Sequence, residues 1–208
     1  GKSADEISDL IRGEANTKVK LTIIRNTEQQ EVEVERANVD SAVTSEIRDN
    51  DGKKFGYVKI NTFGSTTADD IEAALQTFTA EKIDTLVLDL RDNGGGYLTA
   101  ATDVLSLFMK EDKLLFQMET KNGAIEKYKA KDCQKYNFIN GYILVNGNTA
   151  SASEVVAGAL QEKMNYKLVG DQTYGKGTAQ TQKQLSDGSV LKYTYAKWYM
   201  DKWKRIDT

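Results

Sequence analysis

Tyr142-Ile143-Leu144-Val145-Asn146-Gly147-Asn148-Thr149-Ala150-Ser151-Ala152-Ser153-Glu154-Val155-Val156-Ala157-Gly158-Ala159-Leu160 passes from a short apolar run, through a polar turn, into a stretch of small and apolar residues. The run over 142–145 reads as a buried strand, and the stretch after Ser151 as a helix. Ser151 stands at the junction. At a helix N-terminus the first backbone N–H groups have no intrahelical partner, and the helix dipole favours negative charge. A serine hydroxyl there suits attack on a carbonyl, because the oxyanion that forms meets donors already in place. A plainer reading fits as well: Ser151-x-x-Glu154 has the pattern of a capping box, in which the serine only satisfies a helix N–H.

Outward from this unit, strand and helix keep alternating. Thr85-Leu86-Val87-Leu88-Asp89-Leu90 is the kind of near-continuous apolar run expected of a strand buried on both faces of a parallel sheet. A loop, Asp92-Asn93-Gly94-Gly95-Gly96, and a helix from Leu98 to Met109 follow it. Before it, residues 40–48 and Phe55–Ile60 read as strands about the turn Asn50-Asp51-Gly52. Ser65 or Thr66 then caps a helix whose Ile71, Ala74, Leu75 and Phe78 share a face. Residues 113–118 and 124–130 suggest a hairpin turning at Asn122-Gly123. Beyond the Ser151 helix, Tyr166–Val169 reads as another core strand. Residues 178–185 and 190–198 read as strands about Ser186-Asp187-Gly188-Ser189. Recurrent β-α-β units predict an α/β core. At the start, Ser3 caps a helix bearing Ile7, Leu10 and Ile11, and alternation around Val19, Leu21, Ile23, Val32 and Val34 gives two half-buried strands. That is too little for a domain of its own.

Composition narrows the chemistry. A chain of 208 residues holds one full-sized core and a small appendage. The net charge is -3 and no basic block stands out, which argues against nucleic acid as a partner. No apolar run approaches the roughly 18 residues that span a bilayer. The chain begins Gly1-Lys2-Ser3, with no Met and no signal peptide, and reads as a segment of a longer protein. It contains no histidine. A Ser-His-Asp triad, a Cys-His dyad and a histidine zinc site are therefore all excluded, and lysine is the usual substitute base. Cys133 is the only cysteine; it can form no internal disulfide and reads as buried filler. No metal or cofactor is called for.

Two further segments can join Ser151, since ligand groups in α/β folds gather beyond the carboxyl ends of the strands. In Asp89-Leu90-Arg91-Asp92-Asn93-Gly94-Gly95-Gly96 the glycines let backbone approach a substrate closely and aim an N–H at an oxyanion. They equally fit a plain strand-to-helix turn, and they lack the dinucleotide and Walker A spacings. In Thr173-Tyr174-Gly175-Lys176-Gly177-Thr178-Ala179-Gln180 a lysine lies between two glycines. An exposed lysine in a turn is the ordinary explanation. To act as a base it must be uncharged near pH 7, although a free lysine holds its proton to about 10.4, a differential cost of about 4 kcal/mol. Burial beneath a substrate groove can supply that. If the segment is extended, Gln180 lies on the same side as Lys176 and its neutral amide can orient the amine.

These three segments together resemble those of the carboxy-terminal processing peptidases, the tail-specific protease family of Ser-Lys serine endopeptidases. The order and separation of serine and lysine fit that family too. The resemblance implies an α/β fold with a core like that of Clp proteases and crotonases over residues 38–208. It also implies a truncated PDZ-like segment, the C-terminal half of that domain, over residues 1–37. It implies Ser151 as nucleophile, Lys176 as general base, Gln180 as the residue that positions the lysine, and the N–H groups of Ala152 and Gly96 as oxyanion hole. It further implies a protein or peptide substrate bound by its C-terminal tail, no cofactor and an extracytoplasmic setting. A membrane anchor on the parent would lie outside this chain. The resemblance places the PDZ carboxylate-binding loop before residue 1 and the family's usual C-terminal extension after Thr208, both outside this sequence. Two alternatives stay open: a catalytically idle, peptide-binding relative, and a crotonase-like acyl-CoA enzyme with a similar glycine-rich oxyanion hole.

Overall fold

A computed structural model describes residues 13–36, 41–131 and 135–200, together with Ile7, Leu10 and Ile11. Ser3, Cys133, the start of the strand expected from residue 40, and Asp201–Thr208 lie outside the described residues. The chain divides into two compact units, Gly1–Asp40 and Ser41–Thr208.

In the first unit, β1 (Lys18–Arg25) and β2 (Glu28–Glu35) form an antiparallel hairpin with Lys18 opposite Glu35. Asn26 and Thr27 close it with φ of 51° and 69°, the positive pair that matches the strands' twist. Val19, Leu21 and Ile23 are half-buried while the residues between them are exposed, as the alternation predicts. The Arg36 guanidinium donates to the Ile11 and Lys18 carbonyls at 2.8 and 3.2 Å, which ties the hairpin to the preceding helical residues. Ile7, Leu10 and Ile11 are helical but exposed.

Among the described residues, the second unit contains two sheets and three helices. The first sheet runs in the order β3 (Val43–Asn50), β4 (Lys53–Ile60), β5 (Thr85–Asp89), β8 (Asn140–Val145), β9 (Lys167–Gly170). Only the β3–β4 pair is antiparallel; the other three pairs are parallel. Parallel neighbours need crossovers, and α1 (Thr67–Ala80), α2 (Leu98–Ser106) and α3 (Ala152–Met164) supply them. The second sheet is wholly antiparallel, in the order β10 (Thr178–Gln184), β11 (Val190–Tyr199), β6 (Leu114–Thr120), β7 (Ile125–Lys129).

The core is built where the periodic patterns place it. Leu86 and Leu88 of β5 are fully buried, as are Val58 and Ile60 of β4. Ile71, Ala74, Leu75 and Phe78 form the buried face of α1. Each of these side chains other than Ala74 contributes about 1.5–3 kcal/mol relative to exposure. Thr66 is the N-cap of α1, but its hydroxyl reaches Asp70 (3.1 Å) rather than the backbone. One expectation fails. The run Tyr166–Val169 is not a core strand: Tyr166 is buried, but every residue of β9 is exposed, Val169 at 47%. β9 pairs only with β8 and so ends the sheet. An apolar run has the same composition at a sheet's edge as at its centre, and only the pairing separates the two.

Candidate active site

The turn after β8 places Ser151 at the N-cap of α3 with φ 59° and ψ −120°. An ordinary N-cap residue lies in the β region. A non-glycine residue held at positive φ costs about 1–3 kcal/mol and persists only when its surroundings over-determine it. Here they do. The Ala150 N–H donates to the Asn93 carbonyl (3.0 Å), as does the Ser153 hydroxyl (3.0 Å). The Thr149 hydroxyl donates to the Leu90 carbonyl (2.8 Å), and the Ser151 N–H to Glu154 Oε2 (2.7 Å). The expected capping box is thus formed, with the Glu154 carboxylate on the Ser151 N–H and the Ser151 side chain facing the Glu154 N–H. Capping alone gives no reason for the strained serine, whereas a nucleophile on a sharp strand-to-helix turn does.

The glycine loop is fitted to this turn. At Gly95 (φ 105°) an added Cβ would stand 2.9 Å from Ser151 Cβ and 3.1 Å from the Ala152 nitrogen. At Gly96 (φ 146°) it would stand 2.3 Å from the Phe63 carbonyl oxygen. Phe63 pins the loop, donating to the Gly95 carbonyl (3.0 Å) and accepting from the Tyr97 N–H (2.8 Å). The Gly95 N–H is taken up by Asn93 Oδ1 (2.8 Å), whereas the Gly96 N–H bonds to no described residue. Ala152 opens α3, where N–H groups lack intrahelical partners. Asn93 is buried and its side chain also donates to the Ile60 carbonyl (2.7 Å), so one residue joins β4 and the glycine loop through its side chain and the serine turn through its backbone carbonyl.

Lys176 arrives from the other sheet. It sits in a tight turn, closed by the Gly177 N–H on the Gly175 carbonyl (3.0 Å), just before β10. The segment is therefore not extended at Lys176, and the parity reasoning for Gln180 does not apply there. Glu154 fixes the turn instead. Its buried carboxylate accepts the N–H of Gly175 (2.6 Å) and of Lys176 (2.9 Å) while also holding Ser151. Gln180 lies at a β-bulge where β11 carries the extra residue, and bulges commonly re-aim side chains beside active sites.

Ser151, Lys176, Gln180 and Gly96 border one open cleft of about 380 Å³. Lys176 is half-buried and Gln180 exposed. No hydrogen bond joins Ser151 to Lys176 among the described residues. Lys176 and Gln180 also border a second cleft of about 510 Å³ with Gly94, Ala150 and Tyr174. Open space therefore extends on both sides of the lysine. Of the five residues singled out in the sequence, only Ala152 borders neither cleft; it is buried at the start of α3.

Behind the loop, Asp89 ends β5 completely buried. It accepts from the Tyr57 hydroxyl (2.6 Å) and from the Arg91 guanidinium at 2.6 and 2.9 Å. Burial pushes its pKa up, but the bonds from Arg91 and Tyr57 and the arginine's charge outweigh burial and hold it below the ordinary carboxylate value. A depressed carboxylate stabilises the fold fully above the unfolded value and loses that contribution as pH falls through the folded one. Acid unfolding is therefore expected to steepen below about pH 4. Asp89→Asn should be less stable at neutral pH and show a shallower acid limb in pH-dependent urea titrations.

Sequence reasoning missed Glu154's second role, the Asn93 junction and the Asp89 network. Buried-polar residue types at strand ends were the available signal for the last two.

The comparisons with known proteins bear on the family and the fold. The model of peptidase family S41 matches residues 54–208. The carboxy-terminal processing protease CtpA of Bacillus subtilis is 38% identical over 200 residues, covering 95% of this chain and 42% of that protein. A CtpA-like serine protease of Staphylococcus haemolyticus is 35% identical over 201 residues, covering 95% and 40%. The chain thus spans less than half the length of these relatives. Among solved structures, the photosystem II D1 C-terminal processing protease superposes with a TM-score of 0.73 at 29% identity, covering 100% of this chain and 57% of that one. A family model matched over most of the sequence, on a mixed α/β fold that superposes on a C-terminal processing protease, places this chain in peptidase family S41.

Proposed function

We propose that the chain is the core of a serine endopeptidase that cuts protein substrates near their C-terminus through a Ser-Lys dyad. Support comes chiefly from one observation: Ser151, Lys176, Gln180 and Gly96, drawn from three separate segments, border a single cleft. Uncharged Lys176 takes the proton of Ser151 as the hydroxyl attacks a peptide carbonyl. The N–H groups of Ala152 and Gly96 hold the tetrahedral oxyanion. Protonated Lys176 then gives its proton to the leaving amine, and water resolves the acyl-enzyme. Gln180 orients the amine. Substrate filling the cleft displaces water from around Lys176, and burial favours an uncharged amine. Residues 1–37 are the C-terminal half of a PDZ-like domain in this reading, residues 38–208 the peptidase core, and the working compartment is extracytoplasmic.

A fluorogenic peptide ending in apolar residues tests the reading. The wild-type chain is expected to cut it and to be labelled at Ser151 by a phosphonofluoridate, and Ser151→Ala to do neither. Peptide binding without cleavage or labelling would favour the idle relative. Turnover of a coenzyme A thioester would favour the crotonase-like alternative.

A further inference from the structure

We propose that the cleft running from Ser151 to Trp198 seats a carboxylate of the substrate, with Lys192 as its anchor; the inference rests on the peptidase reading above. Lys192, Gln182, Tyr195 and Trp198 border this cleft beside the candidate catalytic groups, and no aspartate or glutamate does. Neither Lys176 nor Lys192 forms an ion pair with another residue among those described. Trp198 is 6% exposed, and its buried indole N–H has no hydrogen-bond partner. Buried polar groups are nearly always paired, so this orphan donor is one that a ligand acceptor could satisfy. The cleft lining carries two lysine amines and no carboxylate, so its charge is positive. A ligand that brings negative charge complements it.

Position favours Lys192 over Lys176 as the anchor. Lys176 has to lose its charge to act as the base, and a carboxylate beside it would oppose that. Lys192 lies on β11 opposite Gln182 of β10. β11 pairs with β6 only from Ala196 onward, so Lys192 stands on the part of the hairpin that extends past the second sheet. Tyr97, Leu98, Tyr195 and Trp198 add apolar surface to the same cleft. The preferred substrate accordingly carries an apolar residue at the cut and a carboxylate close by. That group is either an Asp or Glu side chain or the substrate's own C-terminus, which share the same chemistry.

Matched fluorogenic peptides bearing Glu, Gln or Lys at successive positions around the cut, each as free acid and as amide, separate the two sources. One placement of the carboxylate is expected to raise kcat/KM over its neutral counterpart by about two- to fivefold at low salt, the range of exposed ion pairs. The preference should fade at high salt, vanish in Lys192→Gln and reverse in Lys192→Glu. A preference for Glu over Gln identifies the side chain; a preference for acid over amide identifies the chain terminus. Equal rates throughout, or a preference that survives Lys192→Glu, would overturn the proposal while leaving the peptidase reading intact. If wild-type protein cuts none of the peptides, the peptidase reading fails. Fluorescence anisotropy of the same series on Ser151→Ala then still decides whether a carboxylate is preferred.

Discussion

Lys176→Ala is expected to lower kcat on a tail peptide by roughly 10²–10⁴-fold, the usual worth of a positioned general base. Ser151→Ala should cost more, up to about 10⁶-fold. Both variants should keep the wild-type circular dichroism; Lys176→Ala should also keep the thermal midpoint, while Ser151→Ala should lose no more than the worth of a helix cap, about 0.5–2 kcal/mol. The informative substitution is Lys176→Arg. It preserves length and positive charge, but a guanidinium does not lose its proton in proteins. It should therefore be as inactive as the alanine variant. The double variant should be no slower than Ser151→Ala alone, since groups that act as one unit are not additive. An arginine variant that keeps a tenth of the wild-type rate would remove Lys176 from the mechanism.

Glu154→Ala should produce the second large loss, through position alone. The carboxylate receives N–H groups from Ser151, Gly175 and Lys176, so it links the serine turn directly to the lysine turn, beside the Tyr174 N–H on the Thr149 carbonyl (3.0 Å). Removing it leaves three donors without their acceptor, each worth about 1–3 kcal/mol when buried and unsatisfied. Water entering the gap would reduce that sum. A displacement of about 1 Å at reacting groups costs on the order of 100-fold in rate. A folded Glu154→Ala protein, assayed below its thermal midpoint, should fall by at least that factor in kcat, with KM little changed. Glu154→Gln should retain part of the activity, since one carboxamide oxygen still accepts while its NH₂ faces a donor. Phosphonofluoridate labelling of Ser151 should slow in the same order. Wild-type labelling rates in folded Glu154→Ala would show that the link is dispensable.

How far the sequence disclosed this arrangement depended on the range of each signal. The β5 and β8 runs and the apolar face of α1 were readable because burial imposes a period within a few residues. The Ser151, Lys176 and Gln180 set came from the resemblance of three segments to a known family; the absence of histidine by itself pointed only to lysine as a substitute base. Other features depend on contacts between distant segments. Ser151-x-x-Glu154 announces a local cap, but nothing within four residues reveals that the same carboxylate reaches Gly175 and Lys176. The backbone angle at Ser151 is imposed by Asn93, Leu90 and Glu154, and leaves no mark in the serine's own neighbourhood. β9 was misjudged for the same reason: its neighbours in space, not its residues, make it an edge. The turn at Lys176 broke the regular spacing assumed for Gln180, yet both side chains border the cleft, because the turn and the bulge both act on their placement.

The left-handed backbone at Ser151 puts durability and catalysis in opposition. Glycine adopts such a φ without penalty, so Ser151→Gly should melt later than the native chain although it cannot attack anything. A laboratory selection for heat tolerance that does not also demand turnover would be drawn toward that dead sequence. Improved versions of this protein are better sought at surface positions remote from the strained serine.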